Sequence, residues 1–341
     1  MDNHSLTGPA SATLTAIVRD RYGWRPPLGV RALGDGLTLT YLIEGEGRRA
    51  IARVSRIAEP LNGRRLDFEL ALLAYLAGRA LAVPAPLPAA DGALWVETEM
   101  PGGVPGRLVL QQFVEGEPPA LTPGTGRQVG EILAGCHLLA DDFLRSRPGT
   151  LGPTVDDPVV PTLNREALLD LPAASVLERL RSNPERPGDA IAAASLVLLA
   201  ERLAGVFPSL GREPGTWGLL HGDAHHQNFR GKAGGRLSLL DFEHLSLGWR
   251  VYDLATLVWG TFGRSGGNAT VWAAIIDGYS TIRSPLPWET EALPWFIALR
   301  QVWWLGFHAR HWGRWRRPWL TRDFFARGVE LLEYITDEAC G

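Results

Sequence analysis

An aspartate, an asparagine and a second aspartate stand at spacings that could carry phosphoryl transfer. The first run is His221-Gly222-Asp223-Ala224-His225-His226-Gln227-Asn228, and after a short hairpin comes Leu239-Leu240-Asp241-Phe242-Glu243. Moving a phosphoryl group needs little covalent chemistry. It needs positioning, a base for the attacking hydroxyl, and cations to neutralise charge. Asp223 is the candidate base. Asn228 and Asp241 offer hard oxygens of the kind Mg²⁺ accepts while keeping several waters. Leu237, Leu239 and Leu240 form an apolar strand that would hold Asp241 rigidly at its end. A single Asp or Asn in a loop is far more often a turn former than a catalyst; the joint pattern points to chemistry. His225 and His226 have no cysteine or HExxH partner for zinc. His225 and Glu243 are instead candidate acceptor contacts.

The D-x-x-x-x-N spacing and the D-F-E that follows resemble the H-R-D-x-x-x-x-N and D-F-G elements of protein kinases. Here Gly222 takes the arginine position and Glu243 the glycine position. The chain more closely resembles the aminoglycoside phosphotransferase and choline kinase superfamily, whose loop commonly reads H-G-D-x-H-x-x-N before D-F-D or D-F-E. That resemblance covers nearly the whole chain. It implies an α+β, two-lobed, protein-kinase-like fold: a nucleotide-binding β-sheet lobe over 1–114 with a leading helix, and a larger, mainly helical catalytic and acceptor-binding lobe over 115–341 with a helical insertion at 160–210. An Mg²⁺-nucleotide would lie in the interlobe cleft.

The resemblance also implies that Arg53, within Ala50–Arg56, meets the nucleotide phosphates and that Glu69 is its ion-pair partner. Arg56 is the competing assignment. Lys232 is the only lysine and sits in a Gly-rich turn, so a strand-borne phosphate anchor must be an arginine. Arginine supplies a permanently protonated fork in place of a point charge. The Leu110–Gly116 stretch resembles a hinge in which Gln112, Phe113 and Val114 hold the base through backbone groups, so ATP and GTP are not distinguished. Gly34-Asp35-Gly36 resembles a reduced phosphate-covering loop, and Asp253 a buried support for the catalytic loop.

Clues to the acceptor come from the C-terminal third. Arg300–Trp304 and Ala309–Trp315 are rich in Trp and Arg, and resemble the homoserine-kinase-like and stress-response-kinase branch. From Arg283 to Arg327, eight arginines face Glu289, Glu291 and Asp323, an excess of five positive charges. A polycationic aminoglycoside would prefer an acidic pocket. At helical spacing the tryptophans read as core and the arginines as a solvated face. Trp304, His308 and His311 are the candidates to line the acceptor site, where flat faces would suit a nucleoside, sugar or aromatic metabolite.

The elements that must position these residues follow from periodicity. A short amphipathic helix is predicted over 10–22, strands over Leu37–Glu44 and Arg49–Ser55, a helix over Asp67–Leu76, and strands over Ala93–Thr98 and Arg107–Phe113. Glu115-Gly116-Glu117-Pro118-Pro119 is the best boundary. Beyond it, helices are predicted over Gly126–Phe143, Ile191–Phe207, Tyr252–Trp259, Ala269–Tyr279, Glu289–Trp312 and Thr321–Ile335, with short helices and exposed loops between the first two. Lys plus Arg number 34 against 37 Asp plus Glu, a net charge of −3 that argues against a general nucleic-acid or anionic-membrane binder. Cys136 and Cys340 make no disulfide framework. Without a basic leader or an uninterrupted apolar span, a soluble cytoplasmic enzyme is expected. The predicted activity is Mg²⁺-dependent transfer of the γ-phosphate of ATP or GTP to a hydroxyl of a small molecule. The alternatives are a bacterial Ser/Thr protein kinase of the stress-response type and a non-catalytic pseudokinase that binds a partner.

Overall fold

Alternation builds the N-terminal sheet. In the computed structural model, which describes residues 11–35, 38–56, 61–100, 103–146, 159–182, 186–261, 268–312, 319–321 and 323–340, the leading helix α1 is Ser11–Tyr22. It is followed by strands β1 (Gly29–Asp35), β2 (Leu39–Gly45) and β3 (Arg48–Arg56), helix α2 (Leu61–Gly78), and strands β4 (Val96–Met100) and β5 (Val104–Gln112). The five strands form one antiparallel sheet in the order β1-β2-β3-β5-β4. Ala50, Ala52 and Val54 of β3 join Leu108 and Leu110 of β5 in a core capped by Leu14 and Val18 of α1. Successive strand residues point to opposite faces, so Ile51 and Arg53 belong to the other side.

The first strand escaped prediction. Only Val30 and Leu33 are large apolar residues in β1, Leu33 is exposed, and the register shifts between Ala32 and Gly34. An irregular edge strand has little burial to impose alternation. The prediction of the leading helix, the hairpin around Glu46-Gly47 and the inserted helix agrees with what the structure shows.

The helical part contains α3 (Pro123–Ser146), α4 (Leu171–Arg181), α5 (Pro187–Ala204), α6 (Val251–Trp259), α7 (Ala269–Ser280), α8 (Pro287–Arg310) and α9 (Phe324–Cys340). Short strands β6 (Trp217–Leu220), β7 (Phe229–Arg230), β8 (Ser238–Leu239) and β9 (Ser246–Trp249) interrupt it, β6 pairing with β9 and β7 with β8. Helix α6 is buried from Val251 through Val258, so it runs through the interior. Gly306 of α8 lets α4 approach closely: a Cβ there would meet Pro172 at 2.4 Å. Contacts divide the chain into two compact units, Met1–Glu117 with Ser146–Val159 and Arg230–Leu240, and Pro118–Arg145 with Val160–Phe229 and Asp241–Gly341. A sheet-bearing unit and a helical unit make this the α+β, kinase-like architecture.

By length and composition, one described stretch, Pro187–Ser209, could cross a membrane, which apolar run length in the sequence did not suggest. Core helices meet the same test, and here Leu196, Leu199 and Leu203 are buried while Glu201 and Arg202 are exposed.

Cys136 on α3 is buried, and burial pushes its thiol up to about 12. A thiol reagent attacks the thiolate. In a Cys340→Ser protein, Cys136 is therefore expected to resist a disulfide reagent at pH 8 until denaturant unfolds the chain. Prompt labelling of the native protein would contradict its placement.

Candidate active site

Asp253 of α6 organises the loop that carries Asp223. Fully buried, it accepts hydrogen bonds from the backbone amides of His221 at 2.7 Å and Gly222 at 2.8 Å. Its Oδ2 also lies 3.0 Å from Nε2 of buried His137 on α3. The other ring nitrogen of His137 is 2.8 Å from the Tyr279 hydroxyl, which accepts from Arg283 at 3.1 Å; Arg283 in turn holds Glu289 at 2.8 and 2.9 Å. Burial alone would raise the Asp253 carboxyl, yet His137 and the loop amides hold it below the usual carboxylate range. Burial lowers His137 despite that carboxylate, which keeps the imidazole neutral. Gly222 has φ +81°, and a Cβ there would sit 2.0 Å from the His244 carbonyl oxygen. That close approach explains a glycine where protein kinases place arginine.

Asp223 follows directly. Arg300 of α8 donates through Nη2 to its Oδ1. Its Oδ2 has two longer neighbours, Asn228 Nδ2 at 3.4 Å and His225 Nε2 at 3.5 Å. Burial pushes the carboxyl upward, but Arg300, His225 and His244 outweigh it and hold Asp223 far below the usual range. Asn228 Nδ2 donates to the Asp223 carbonyl at 2.8 Å, which turns Oδ1 away as a hard-oxygen donor. The structure thus brings Asp223, His225 and Asn228 together.

Asp241 stands at the entrance to the 3₁₀ turn Phe242–His244 with φ 62° and ψ 72°, a left-handed conformation unusual for a residue with a Cβ. Such backbone strain costs roughly 1–3 kcal/mol and tends to occur where a side chain must be aimed. Glu243 is half-buried in the same turn. Among the described residues no group of three or more His, Cys, Asp and Glu could hold a metal ion. A cation held by Asn228 and Asp241 would therefore depend on waters and phosphate oxygens for its remaining ligands, as Mg²⁺ commonly does.

In the sheet-bearing unit, Arg53 Nη1 lies 2.6 Å from Glu69 Oε1 of α2, and both side chains are largely buried. Arg56, three residues on, falls on the opposite sheet face and is exposed. Strand parity places the two arginines on opposite faces. The Gln112 amide donates to the Ala85 carbonyl at 2.9 Å. Phe113 is half-buried with Arg49 over its ring at 4.4 Å, and Val114 is half-buried beside it. Gly34 and Asp35 end β1, while Gly36 lies outside the described residues.

Helix α8 presents an aromatic layer. Trp304 packs against Trp259, His308, Trp319 and Phe324, with ring centres 4.6–5.9 Å apart. His308 and His311 direct Nδ1 to the carbonyls of Trp304 and Phe307, each at 2.8 Å. The residue of α8 that reaches Asp223 is Arg300, one turn before Trp304. The expected solvated arginine face does not include it: Arg300 is 1% exposed. His244, also unassigned from sequence, lies against Trp303 at 5.4 Å and Phe307 at 5.8 Å. A charged residue amid Phe296, Ile297, Leu299, Val302 and Trp303 was the available signal, because buried charges are nearly always paired. The Arg314-Trp315 part of the motif lies outside the described residues.

Residues 29–293 match the model of the phosphotransferase enzyme family, APH. The chain belongs to that family. It is a phosphotransferase with an alcohol group as acceptor, a kinase. It is 31% identical over 332 residues to an uncharacterised protein of Deinococcus radiodurans, covering 96% of this chain and 90% of that one. It is 32% identical over 238 residues to the homoserine kinase of Allorhizobium ampelinum, covering 67% of this chain and 64% of that enzyme. Among solved structures, a microcompartment-associated aminopropanol kinase superposes with a TM-score of 0.76 at 23% identity, covering 96% of this chain and 98% of the other. The amicoumacin kinase hAmiN, in complex with AMP-PNP, Ca²⁺ and Ami, gives 0.71 at 16% identity, covering 97% and 94%. At these identities the superpositions establish the kinase-like fold.

Proposed function

We propose that this phosphotransferase moves the γ-phosphate of ATP, or GTP, to a hydroxyl of a small molecule such as an amino alcohol, sugar, nucleoside or antibiotic. The observation that carries the reading is Asp223: ionised, seated on a loop fastened by Asp253, and lying against Asn228. Asp223 accepts the proton of the attacking hydroxyl. Asn228 and Asp241 hold Mg²⁺, which when bound neutralises charge on the phosphates. Arg53, braced by Glu69, anchors those phosphates, and backbone groups of Gln112, Phe113 and Val114 hold the base. His225 and Glu243, with Trp304, His308 and His311 farther along α8, are the proposed acceptor contacts.

The homoserine kinases among its relatives support a small hydroxylated acceptor. So does the excess of five positive charges between Arg283 and Arg327, which would repel a polycation. A screen of homoserine, aminopropanol, sugars, nucleosides and amicoumacin-like alcohols with ATP and GTP tests the proposal, reading product mass together with nucleoside diphosphate. Transfer confined to protein serine or threonine, or no transfer at all from a bound nucleotide, would overturn it.

An Asp241→Ala protein is expected to lose Mg²⁺-dependent tightening of nucleotide binding while Mg²⁺-free binding stays as in the parent. Calorimetric titration with and without Mg²⁺ checks this, and unchanged metal dependence would remove Asp241 from the site.

A further inference from the structure

Arg300 is placed more deliberately than stability requires. Its guanidinium is buried on α8, with Trp303 packed at 4.6 Å and Trp259 at 5.1 Å from its central carbon. Nη2 binds Asp223 Oδ1, Nη1 lies 3.4 Å from the Tyr252 hydroxyl, and Nε is buried without a hydrogen-bond partner. Removing a guanidinium from water carries a desolvation penalty that the attraction to one carboxylate often fails to offset, and apolar residues of similar volume frequently serve stability as well. One donor left unsatisfied makes the arrangement poorer still as a stabilising device.

What Arg300 does achieve is a distinction between the two oxygens of Asp223. Oδ1 is held by a charge-assisted hydrogen bond, the strong and directional kind. Among the described residues Oδ2 has only the long contacts to Asn228 and His225, near the outer limit of a useful hydrogen bond. The two tryptophans pack on the guanidinium and hold its plane, and that plane orients the carboxylate.

We infer that Arg300 is a positioning residue that pins Asp223 through Oδ1 and reserves Oδ2 for the acceptor hydroxyl. The inference rests on the reading of Asp223 as the base. In the transfer step the acceptor O–H bond breaks and its proton goes to Oδ2. The acceptor oxygen forms the new P–O bond, and the bond from the γ-phosphorus to the nucleoside diphosphate breaks.

Arg300→Met, Arg300→Lys and Asp223→Asn, assayed side by side with the full chain, test this using the acceptor identified by the screen, or water as acceptor if nucleotide hydrolysis alone is measurable. Because a misplacement of about 1 Å at a reacting group can lower rates ~100-fold, Arg300→Met should lose kcat on that scale while KM for nucleotide stays within about threefold. Arg300→Lys keeps the charge and should recover a clear part of the loss, about tenfold over Met, by the same reasoning. Turnover is expressed per nucleotide-binding site titrated, so that partial unfolding does not mimic the effect. Wild-type kcat in Arg300→Met, with Asp223→Asn inactive, would overturn the role of Arg300 and leave the base intact. Activity retained in Asp223→Asn would instead remove the base reading, and with it the inference. If Arg300→Met fails to fold, Arg300→Lys decides: lowered kcat at unchanged KM supports the inference, and wild-type kcat overturns it.

Discussion

Asp223→Asn is expected to bind nucleotide as the parent does and to turn over about 1,000-fold more slowly, within the range general bases contribute. The substitution is nearly isosteric, and the amide oxygen can still accept from Arg300. It removes the anion that would take the acceptor proton. The protonation state matters because Arg300, His225 and His244 hold the carboxylate ionised at any pH at which the enzyme would be assayed. A rigidly ionised aspartate is a weak base in the ground state, yet it can direct a hydroxyl and take its proton late, when the P–O bond is largely formed. That suits the loose transition state of phosphoryl transfer, in which the nucleophile needs little activation. Nucleotide affinity should hardly change, because the proposed nucleotide contacts, Arg53 and the backbone of Gln112, Phe113 and Val114, do not involve Asp223. Steady-state rates and a nucleotide titration on the same preparation give the result. Turnover within tenfold of the parent would place the base elsewhere.

The sequence revealed most where chemistry or burial restricts residue type. The proposed site residues Asp223, Asn228 and Asp241 stood out because few other residues could serve the proposed chemistry at that spacing. The β2–β3 hairpin stood out through the Gly45-Glu46-Gly47 turn and the apolar Ile51 and Val54 after it, although the buried face is Ala50, Ala52 and Val54 and Ile51 is only half-buried. β1 did not, since an exposed, bulged edge imposes no alternation. β9 did not, since its four residues, Ser246–Trp249, are too few to show a period. The Arg300–Asp223 pair joins residues 77 positions apart, and such a pairing leaves no periodic trace. Arg300 looked like one arginine among many in a basic helix. Its position on the apolar stripe was the clue, and a stripe is legible only once the helix phase is known. Phase likewise separates Arg53 from Arg56: three residues along a strand reverse the face, and Arg53 is the one that meets Glu69.

The second large effect concerns the knot beneath the loop. Asp253→Ala would leave the amides of His221 and Gly222 without their acceptor and His137 with Tyr279 as its remaining partner, all in a region closed to water. Leaving buried donors without their acceptor costs about 1–3 kcal/mol each, together a large fraction of the stability of an ordinary domain. A marked fall in the midpoint of denaturant unfolding is therefore expected. Asp253→Asn should fall less, because its one carbonyl oxygen can still serve one amide. Both variants should transfer phosphate poorly even where folded, since the Gly222 turn that aims Asp223 hangs from those two bonds. The same knot sets the sign of the acid dependence. Asp253 has a folded pKa below its unfolded value, so its contribution is present above the ordinary carboxylate range and is lost as pH falls through the folded pKa. His137 and His226 are also held below their ordinary 6.5. As pH drops below that value the unfolded chain takes up protons that the folded chain refuses, and stability declines. Unfolding curves at pH 7.5 and 5.5 should show the parent less stable at the lower pH. A parent equally stable at both would contradict the lowered pKa values of His137 and His226, and an Asp253→Ala protein with an unshifted midpoint would mean that Asp253 does not hold the loop.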